Sequence, residues 1–518
     1  MKSHFVIIFV ILNVAFLACF AGWYIVPEYL DGIVDKKSVV VKSTPVFESW
    51  KTPYDSTSSK FKIYFFNVTN PEQVENGGTP FLRQVGPYVY DVKIEHIDIS
   101  ENPADFSVDY FRKKTYYFNE IESIGKDTDR LTVLNIALMS SALALHEFVP
   151  QMLPDLSKTL PFLYPSLHDI FLRETVKNMV FDGITLHCEH EETEWLCSLL
   201  GLIQIKNLRP APNGMDYVVS LMTNGSIDGP FEMYTGQDNL TKRGTLIKYE
   251  FDNELNAWTG ECRIIKGSDG WFFPKPLEKE KGIDIFLPEI CTHMHLSYER
   301  ESKVNAVDTI RFSYKESDVS NLDCYCPKLY SHENGTSPRC PLPGLIDIKS
   351  CIDYSILVSP PHFYLSHHLL VDKVEGLTPE KSRHESYVEI DPITSTPLEA
   401  CIRLQLNTEV VRISEFEYLS NVTEYIVFPL GWYEMAVKAK DNVEENVKGA
   451  LFLYKVGYIS KWVIGCVTIL IAVIFLMTCT YYHCLSKEVK DEFSPSQNLT
   501  NSNNVQLNEN GKFETRKI

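Results

Sequence analysis

Two uninterrupted apolar runs bracket this sequence and limit what it can fold into. Phe5 to Val26 carries no charge and one strongly polar residue, Asn13; Trp462 to Tyr482 carries no charge at all. About 20 apolar residues cross a bilayer as a helix, the form that satisfies its own backbone where water is absent. Both runs end in aromatics that favour the bilayer interface: Trp23 and Tyr24 on the first, Trp462, Tyr481 and Tyr482 on the second. The first run is longer than the core of a cleaved signal peptide, so it reads as an anchor. The expectation is two transmembrane helices, residues 5–26 and 462–482.

Lysines flank both runs on both sides, so the positive-inside rule does not orient the chain. Two other signals do. The sequons at Asn67, Asn224, Asn239, Asn334 and Asn421 all lie between the runs, where glycosylation needs a lumenal or extracellular chain. Nine of the thirteen cysteines lie there too, six of them clustered: Cys262, Cys291, Cys324, Cys326, Cys340 and Cys351. That usage fits an oxidising compartment. Residues 27–461 are therefore read as extracellular, with residues 1–4 and the Asn- and Ser-rich tail 483–518 cytoplasmic; the tail shows no Leu-Ile signal of the lysosomal sorting type, so the plasma membrane is expected rather than the lysosomal one. Cys479 and Cys484 sit at the cytoplasmic boundary and are candidates for palmitoylation. The formal net charge is −19, which excludes nucleic acid as a partner.

Between the runs, several stretches alternate with period two. Tyr88, Tyr90, Val92 and Ile94 oppose Asp91, Lys93 and Glu95; Ile310, Phe312 and Tyr314 oppose Arg311, Ser313 and Lys315; Ile402, Leu404 and Leu406 oppose Arg403, Gln405 and Asn407. Such strands have one dry and one wet face, as in antiparallel sheets and barrels. They spread from residue 60 to 430 without a long linker, which points to one large mixed domain. Residues 131–172 differ. Leu131, Leu134, Leu138 and Leu145 have helical spacing, and Pro150, Pro154, Pro161 and Pro165 break the rest of the stretch into short pieces. This reads as a small helical cluster, either buried or presenting apolar surface to a partner or lipid.

No catalytic signature is present: no Gly-x-Ser-x-Gly, no P-loop, no dinucleotide fingerprint. His187-Cys188-Glu189-His190 with Cys197 has metal-type ligands, but Cys188 and Cys197 can pair with each other. Cys291-Thr-His293-Met-His295 shares that weakness, because Cys291 belongs to the cysteine cluster. Neither enzyme, metal nor cofactor is expected.

Several strings resemble the class B scavenger receptor family, which includes lysosomal integral membrane proteins and insect sensory neuron membrane proteins. They are Phe65-Phe66-Asn67-Val68-Thr69-Asn70-Pro71-Glu72, Val85-Gly86-Pro87-Tyr88-Val89-Tyr90, Pro361-His362-Phe363-Tyr364, Glu375-Gly376-Leu377, His384 to Pro392 and Cys401 to Asn407. They run in family order from about residue 20 to 480. Asp182-Gly183-Ile184 followed by Cys188 and Cys197 looks most like the sensory neuron branch. One departure is Thr394-Ser395, where the family usually has Thr-Gly, so a turn there lacks glycine's freedom at positive φ.

The resemblance implies an α+β domain with an antiparallel β-barrel core, a helical bundle at the membrane-distal apex and a lipid-carrying tunnel. It implies pairing of Cys262 with Cys324, Cys291 with Cys351, and Cys326 with Cys340. It places Lys158 near the family's apical ligand-binding lysine. There a lone cation beside Phe148, Phe162, Leu163 and Tyr164 would hold a carboxylate or phosphate head while the apolar neighbours take the chain. The function implied is a two-pass lipid receptor and conduit for fatty-acid-derived ligands. In its chemosensory form it would work with odorant-binding proteins as donors and an odorant receptor channel as acceptor. Uptake of lipoproteins or cell debris, and traffic of a soluble protein to lysosomes, are the alternatives.

Overall fold

The computed structural model describes residues 2–55, 58–165, 167–168, 170–202, 207–315, 341–352 and 354–492. The chain divides into two compact units: Met1–Asp31 with Tyr454–Ile518, and Gly32–Leu453.

The first unit consists of the apolar parts of two long helices, α1 (Lys2–Ser38) and the C-terminal helix (Asp441–Glu492). Both are long and apolar enough to cross a bilayer, as befits a two-pass membrane protein. Both helices continue beyond the apolar runs, α1 through Pro27 to Ser38 and the C-terminal helix from Asp441. They approach each other at small residues: a Cβ on Gly22 would meet Ile464, one on Gly465 would meet Trp23, and one on Gly457 would meet Leu30. Glycines at such contacts let helix backbones come close where no hydrophobic effect drives association. Phe9 and Phe475 add a ring contact at 4.8 Å.

The second unit begins with a short helix, α2 (Pro45–Lys51), and is built on one large antiparallel sheet. In chain order its principal strands are β1 (Ser59–Val68), β2 (Leu82–Asn102), β3 (Ser107–Phe118), β4 (Ile227–Tyr234), β5 (Leu246–Tyr249) and β6 (Ile283–Leu287). Then come β7 (Thr292–Val304), β8 (Val307–Ser313), β9 (Tyr387–Asp391), β10 (Thr396–Val411) and β11 (Tyr425–Lys438). Their spatial order is β5-β4-β3-β2-β1-β11-β10-β9-β8-β7-β6, with the short strand Leu357–Ser359 added to β10. The expected alternation holds on β2, where Tyr88, Tyr90, Val92 and Ile94 are buried and Asp91, Lys93 and Glu95 are half-exposed. Where β2 crosses β1, Gly86 has φ +117°, and a Cβ there would meet the Ile63 carbonyl at 2.7 Å. The backbones can approach that closely only without a side chain.

The barrel expectation needs correction. Among the described residues the strand ladder is open, ending at β5 on one side and β6 on the other. Between these edges lies the two-residue segment Gly267–Ser268, bonded to both. Leu246 N–H donates to Gly267 O at 2.8 Å, Ser268 N–H donates to Asp284 O at 3.0 Å, and Phe286 N–H donates to Ser268 O at 2.7 Å. Gly267 has φ +81°, and a Cβ would lie 2.2 Å from Asp284 O. Such a backbone cannot continue as a strand, so the gap is bridged rather than laddered.

Residues 402–407 depart from the expected wet face. Gln405 and Asn407 are fully buried. β10 is covered on both faces and shifts register between Leu406 and Asn407. The amides there form a closed polar row. Gln405 Oε1 accepts from His362 N–H at 2.6 Å, and its Nε2 donates to Asn407 Oδ1 at 2.8 Å. Asn407 Nδ2 in turn donates to Leu357 O at 3.1 Å. Buried amides persist when every hydrogen finds a partner.

The helical cluster begins later than the leucine spacing suggests. Arg130–Leu134 is a strand paired with Phe171–Thr175, so Leu131 and Leu134 are sheet residues. Asn135 then caps α3 (Ile136–Phe148), its Oδ1 accepting from Leu138 N–H at 3.1 Å. After a tight turn, Pro150–Met152, comes α4 (Leu153–Leu163), which continues through Pro161. A further helix, α5 (Glu194–Leu202), packs near α4, with Trp195 Nε1 donating to Thr159 Oγ1 at 2.9 Å.

Candidate functional site

Among the described residues of the second unit, two apolar-walled cavities adjoin. The first has a volume of about 360 Å³, within the range of small-molecule sites. Its walls include Trp50, Phe61, Trp271 and Phe286, together with the segments of chain next to both long apolar runs: Val34 and Ser38 on one, Val443, Val447 and Leu453 on the other. The second cavity, about 250 Å³, is lined by Ile63, Phe65, Ile136, Ile356, Trp432 and other apolar side chains. Five residues face both cavities: Lys114, Met222, Pro288, Glu289 and Tyr433. They form the wall between them.

This wall carries charge. Along β3 the buried face reads Val108, Tyr110, Arg112, Lys114, Tyr116, so two cations take the positions of an aromatic row. Lys114 pairs with Glu289 and, at 3.4 Å, with Asp228. Arg112 lies 3.7 Å from Asp228 and 4.0 Å from Asp269, over the ring of Phe231. Tyr110 donates its hydroxyl hydrogen to Asp269. Burial by itself would raise the Glu289 carboxyl, but Lys114 and Arg112 outweigh burial and hold it well below the ordinary carboxylate range. Asp269 goes the other way: its burial is stronger than the pull of Arg112, and its carboxyl is raised. The Glu289 side chain keeps 35% of its exposure; it lines both cavities.

The family strings turn out to meet one another. His362 and His384 stack with centroids 4.3 Å apart, beside Trp432. His362 Nδ1 accepts from Thr378 N–H at 3.0 Å, which leaves Nε2 to donate to Gln84 Oε1 at 2.6 Å. Burial lowers both imidazoles, to about 4 for His362 and about 3 for His384. Arg311 sits 3.5 Å over the Tyr387 ring and pairs with Glu385, Glu389 and Glu299. These strings lock strands together. The departure at Thr394-Ser395 is accommodated directly: Ser395 takes φ +52° without being glycine. Its carbonyl and that of Thr394 accept from the buried Arg243, at 3.0 and 2.7 Å, and Arg243 also donates to Ser38 O and Phe273 O.

The residues expected to capture a ligand do not share one pocket. Lys158 is exposed and lies 3.3 Å from Asp155. Phe148 is exposed beneath Lys349 Nζ, and Phe162 stacks on His190 at 3.8 Å. Leu163 and Tyr164 are core residues, so they cannot take a lipid chain at the surface. None of the five lines either interior cavity. Cys188 is bonded to Cys197, and Cys291 to Cys351. Cys262 is disulfide-bonded as well; Cys324, Cys326, Cys340 and Asn334 lie outside the described residues. Asn224, Asn239 and Asn421 are exposed, whereas Asn67 is half-buried in β1 with its Oδ1 accepting from Thr132 N–H. Cys479 and Cys484 are free thiols, as is the buried Cys401.

Comparison with known proteins places this architecture. The family model described as CD36 family matches residues 6–479, nearly the whole chain. The chain belongs to the CD36 family. Sensory neuron membrane protein 2 of Heliothis virescens is 30% identical over 445 residues, covering 83% of this chain and 84% of the relative. Sensory neuron membrane protein 2 of Manduca sexta is 28% identical over 470 residues, 87% of this chain and 89% of the relative. Sensory neuron membrane protein 1 of Manduca sexta is 26% identical over 465 residues, 88% and 87%. The CD36 family is one of non-enzymatic receptors, in line with a sequence that carries no catalytic signature.

The sequence reading missed Arg112, Lys114, Asp228, Asp269 and Glu289. A signal for the first two was present: they alternate in phase with Tyr110 and Tyr116. The acidic partners come from distant segments, and nothing local marks them.

Proposed function

We propose that this CD36-family protein is a two-pass receptor that takes up hydrophobic lipids and passes them through its extracellular domain to the membrane or to a neighbouring receptor. One observation carries this reading: two apolar interior cavities share a wall, and one of them is lined by chain segments that lead into both apolar helices. In this reading the α3–α5 layer receives the ligand, with exposed Lys158 making the first contact with a head group. Both termini are cytoplasmic and residues 27–461 face outward. Kinship with sensory neuron membrane proteins favours detection of fatty-acid-derived odorants or pheromones, with odorant-binding proteins as donors and an odorant receptor channel as acceptor.

The test targets the shared wall. Met222→Trp adds bulk where the cavities adjoin, and the full chain reconstituted in vesicles is assayed for transfer of a fluorescent long-chain lipid. The expected result is a several-fold slower transfer with an unchanged melting temperature. Transfer at the wild-type rate in a folded variant would sink the interior route. Lys158→Ala is expected to slow capture without altering transfer once the lipid is bound.

A further inference from the structure

A side chain completes the ladder where β4 begins. The segment leading into β4 pairs with β3 at Lys114, which donates to Ser226 O and accepts from Gly225 N–H, both at 3.0 Å. Two residues further along β3, the N–H and C=O of Tyr116 point to the same side. Asn224 meets them with its side chain. Its Oδ1 accepts from Tyr116 N–H at 2.9 Å, and its Nδ2 donates to Tyr116 O at 2.9 Å. The amide thus adds one more rung between β3 and the chain entering β4. Tyr116 is 3% exposed, so without this rung two backbone groups of a buried residue would lose their partners.

Asn224 also opens a sequon, Asn224-Gly225-Ser226, and is exposed. Motif and exposure mark it for a glycan; the stereochemistry of its amide does not. A primary amide carries one hydrogen on the side of Oδ1 and one on the side of Cβ. An amide that faces the N–H and C=O of a single residue uses Oδ1 and the hydrogen beside it. Glycosylation makes the amide secondary, and a secondary amide sets its two substituents trans. The sugar then replaces the hydrogen beside Oδ1, the one donated to Tyr116. The hydrogen that remains lies on the Cβ side, away from β3. Keeping the rung with a sugar attached would need the disfavoured cis amide. Two other sequons differ. Asn67 and Asn239 are held through Oδ1, which accepts from Thr132 N–H at 2.9 Å in the first, and from Thr241 N–H at 2.9 Å and the Thr241 hydroxyl at 2.8 Å in the second. Such bonds leave Nδ2 free to carry a sugar.

We propose that Asn224 is a bare structural amide in the folded protein, and that a glycan at this sequon and the last rung between β3 and the chain entering β4 exclude each other. Asn239 is its sugar-bearing counterpart.

Oligosaccharide is attached to the extended chain before it folds, so the exclusion is read in molecules that reach the cell surface. The full chain is expressed in eukaryotic cells, captured by surface biotinylation, deglycosylated enzymatically in heavy-oxygen water and mapped by mass spectrometry. Occupancy at Asn224 is expected to be at least about tenfold lower than at Asn239. Ser226→Thr makes the sequon a better acceptor without touching the amide and should leave that ratio low, which separates exclusion from weak attachment. Asn224→Ala removes the rung itself, and hydrogen exchange at Tyr116 N–H should then quicken about tenfold. Ser226→Ala removes only the sequon and should alter neither that exchange nor the mass of the surface protein by a glycan. Equal occupancy at Asn224 and Asn239, in the wild type or in Ser226→Thr, would overturn the exclusion. Unchanged exchange at Tyr116 in a folded Asn224→Ala would overturn the rung.

Discussion

Acidification should destabilise this fold through its buried histidines, and His96 gives the clearest measure. It stacks on Trp50 at 4.6 Å and meets the edges of Tyr110 and Trp271. Nδ1 faces the Trp50 carbonyl at 2.9 Å, and Nε2 is buried without a partner. Burial lowers the imidazole to about 3, with Arg112 and Lys440 adding to the effect. The ordinary value is about 6.5, so between about 6.5 and 3 the unfolded chain binds a proton that the folded chain refuses. Stability is therefore complete above about pH 6.5 and falls as the pH drops through that window. At pH 5 the loss is about 1.5 units, or about 2 kcal/mol. His362, lowered to about 4, contributes a similar amount with the same sign. For a unit of roughly four hundred residues, 1 kcal/mol moves the melting temperature by about 1 °C. Full-length protein in nanodiscs should thus melt about 4 °C lower at pH 5 than at pH 7.5 from these two groups. Carboxylates titrate over part of the same range, so the decisive quantity is a difference. In His96→Phe, which fills the aromatic site without a titrating group, the fall between the two pH values should shrink by about 2 °C. If the variant keeps the wild-type pH slope, the assignment of this loss to His96 is wrong.

Arg243→Met should cost about 3–5 kcal/mol, because it strands four buried carbonyls that the guanidinium now serves; chemical denaturation would read it. Asn407→Leu should cost about 1–3 kcal/mol by orphaning the Gln405 amide, and a double variant with Gln405→Leu should recover part of that loss. Breaking the Cys188–Cys197 bridge with paired serines should cost about 2–3 kcal/mol, the value for so short a loop, and should loosen α5 in hydrogen exchange before the sheet responds.

Legibility in the sequence tracks the range of the forces involved. The long helices were legible because a bilayer imposes a local rule on every residue of the span. Their extension to Ser38 and back to Asp441 was not, because the flanking turns pack against a folded unit rather than lipid. Strand faces were legible where one face is wet, as on β2. They misled on β10, where both faces are covered and Gln405 and Asn407 are satisfied by partners from residues 357–362. The leucines at 131 and 134 kept helical phase, yet pairing with Phe171–Thr175 claimed them for a strand. Lys158 drew attention as a lone cation in an apolar stretch, and it proved exposed. The cations inside the unit, Arg112 and Lys114, were passed over because their carboxylate partners lie far along the chain.

The bridge at Gly267–Ser268 also bears on colloidal behaviour. An unpaired sheet edge is an open template for another chain, and proteins spend residues to blunt it. Here one short segment occupies the hydrogen-bonding side of β5 and of β6 together. Two residues thus keep two templates from strangers. A side chain at position 267 would displace the bridge and unmask both edges at once. Its first symptom would be oligomers growing edge to edge in an otherwise folded preparation, well before any loss of secondary structure.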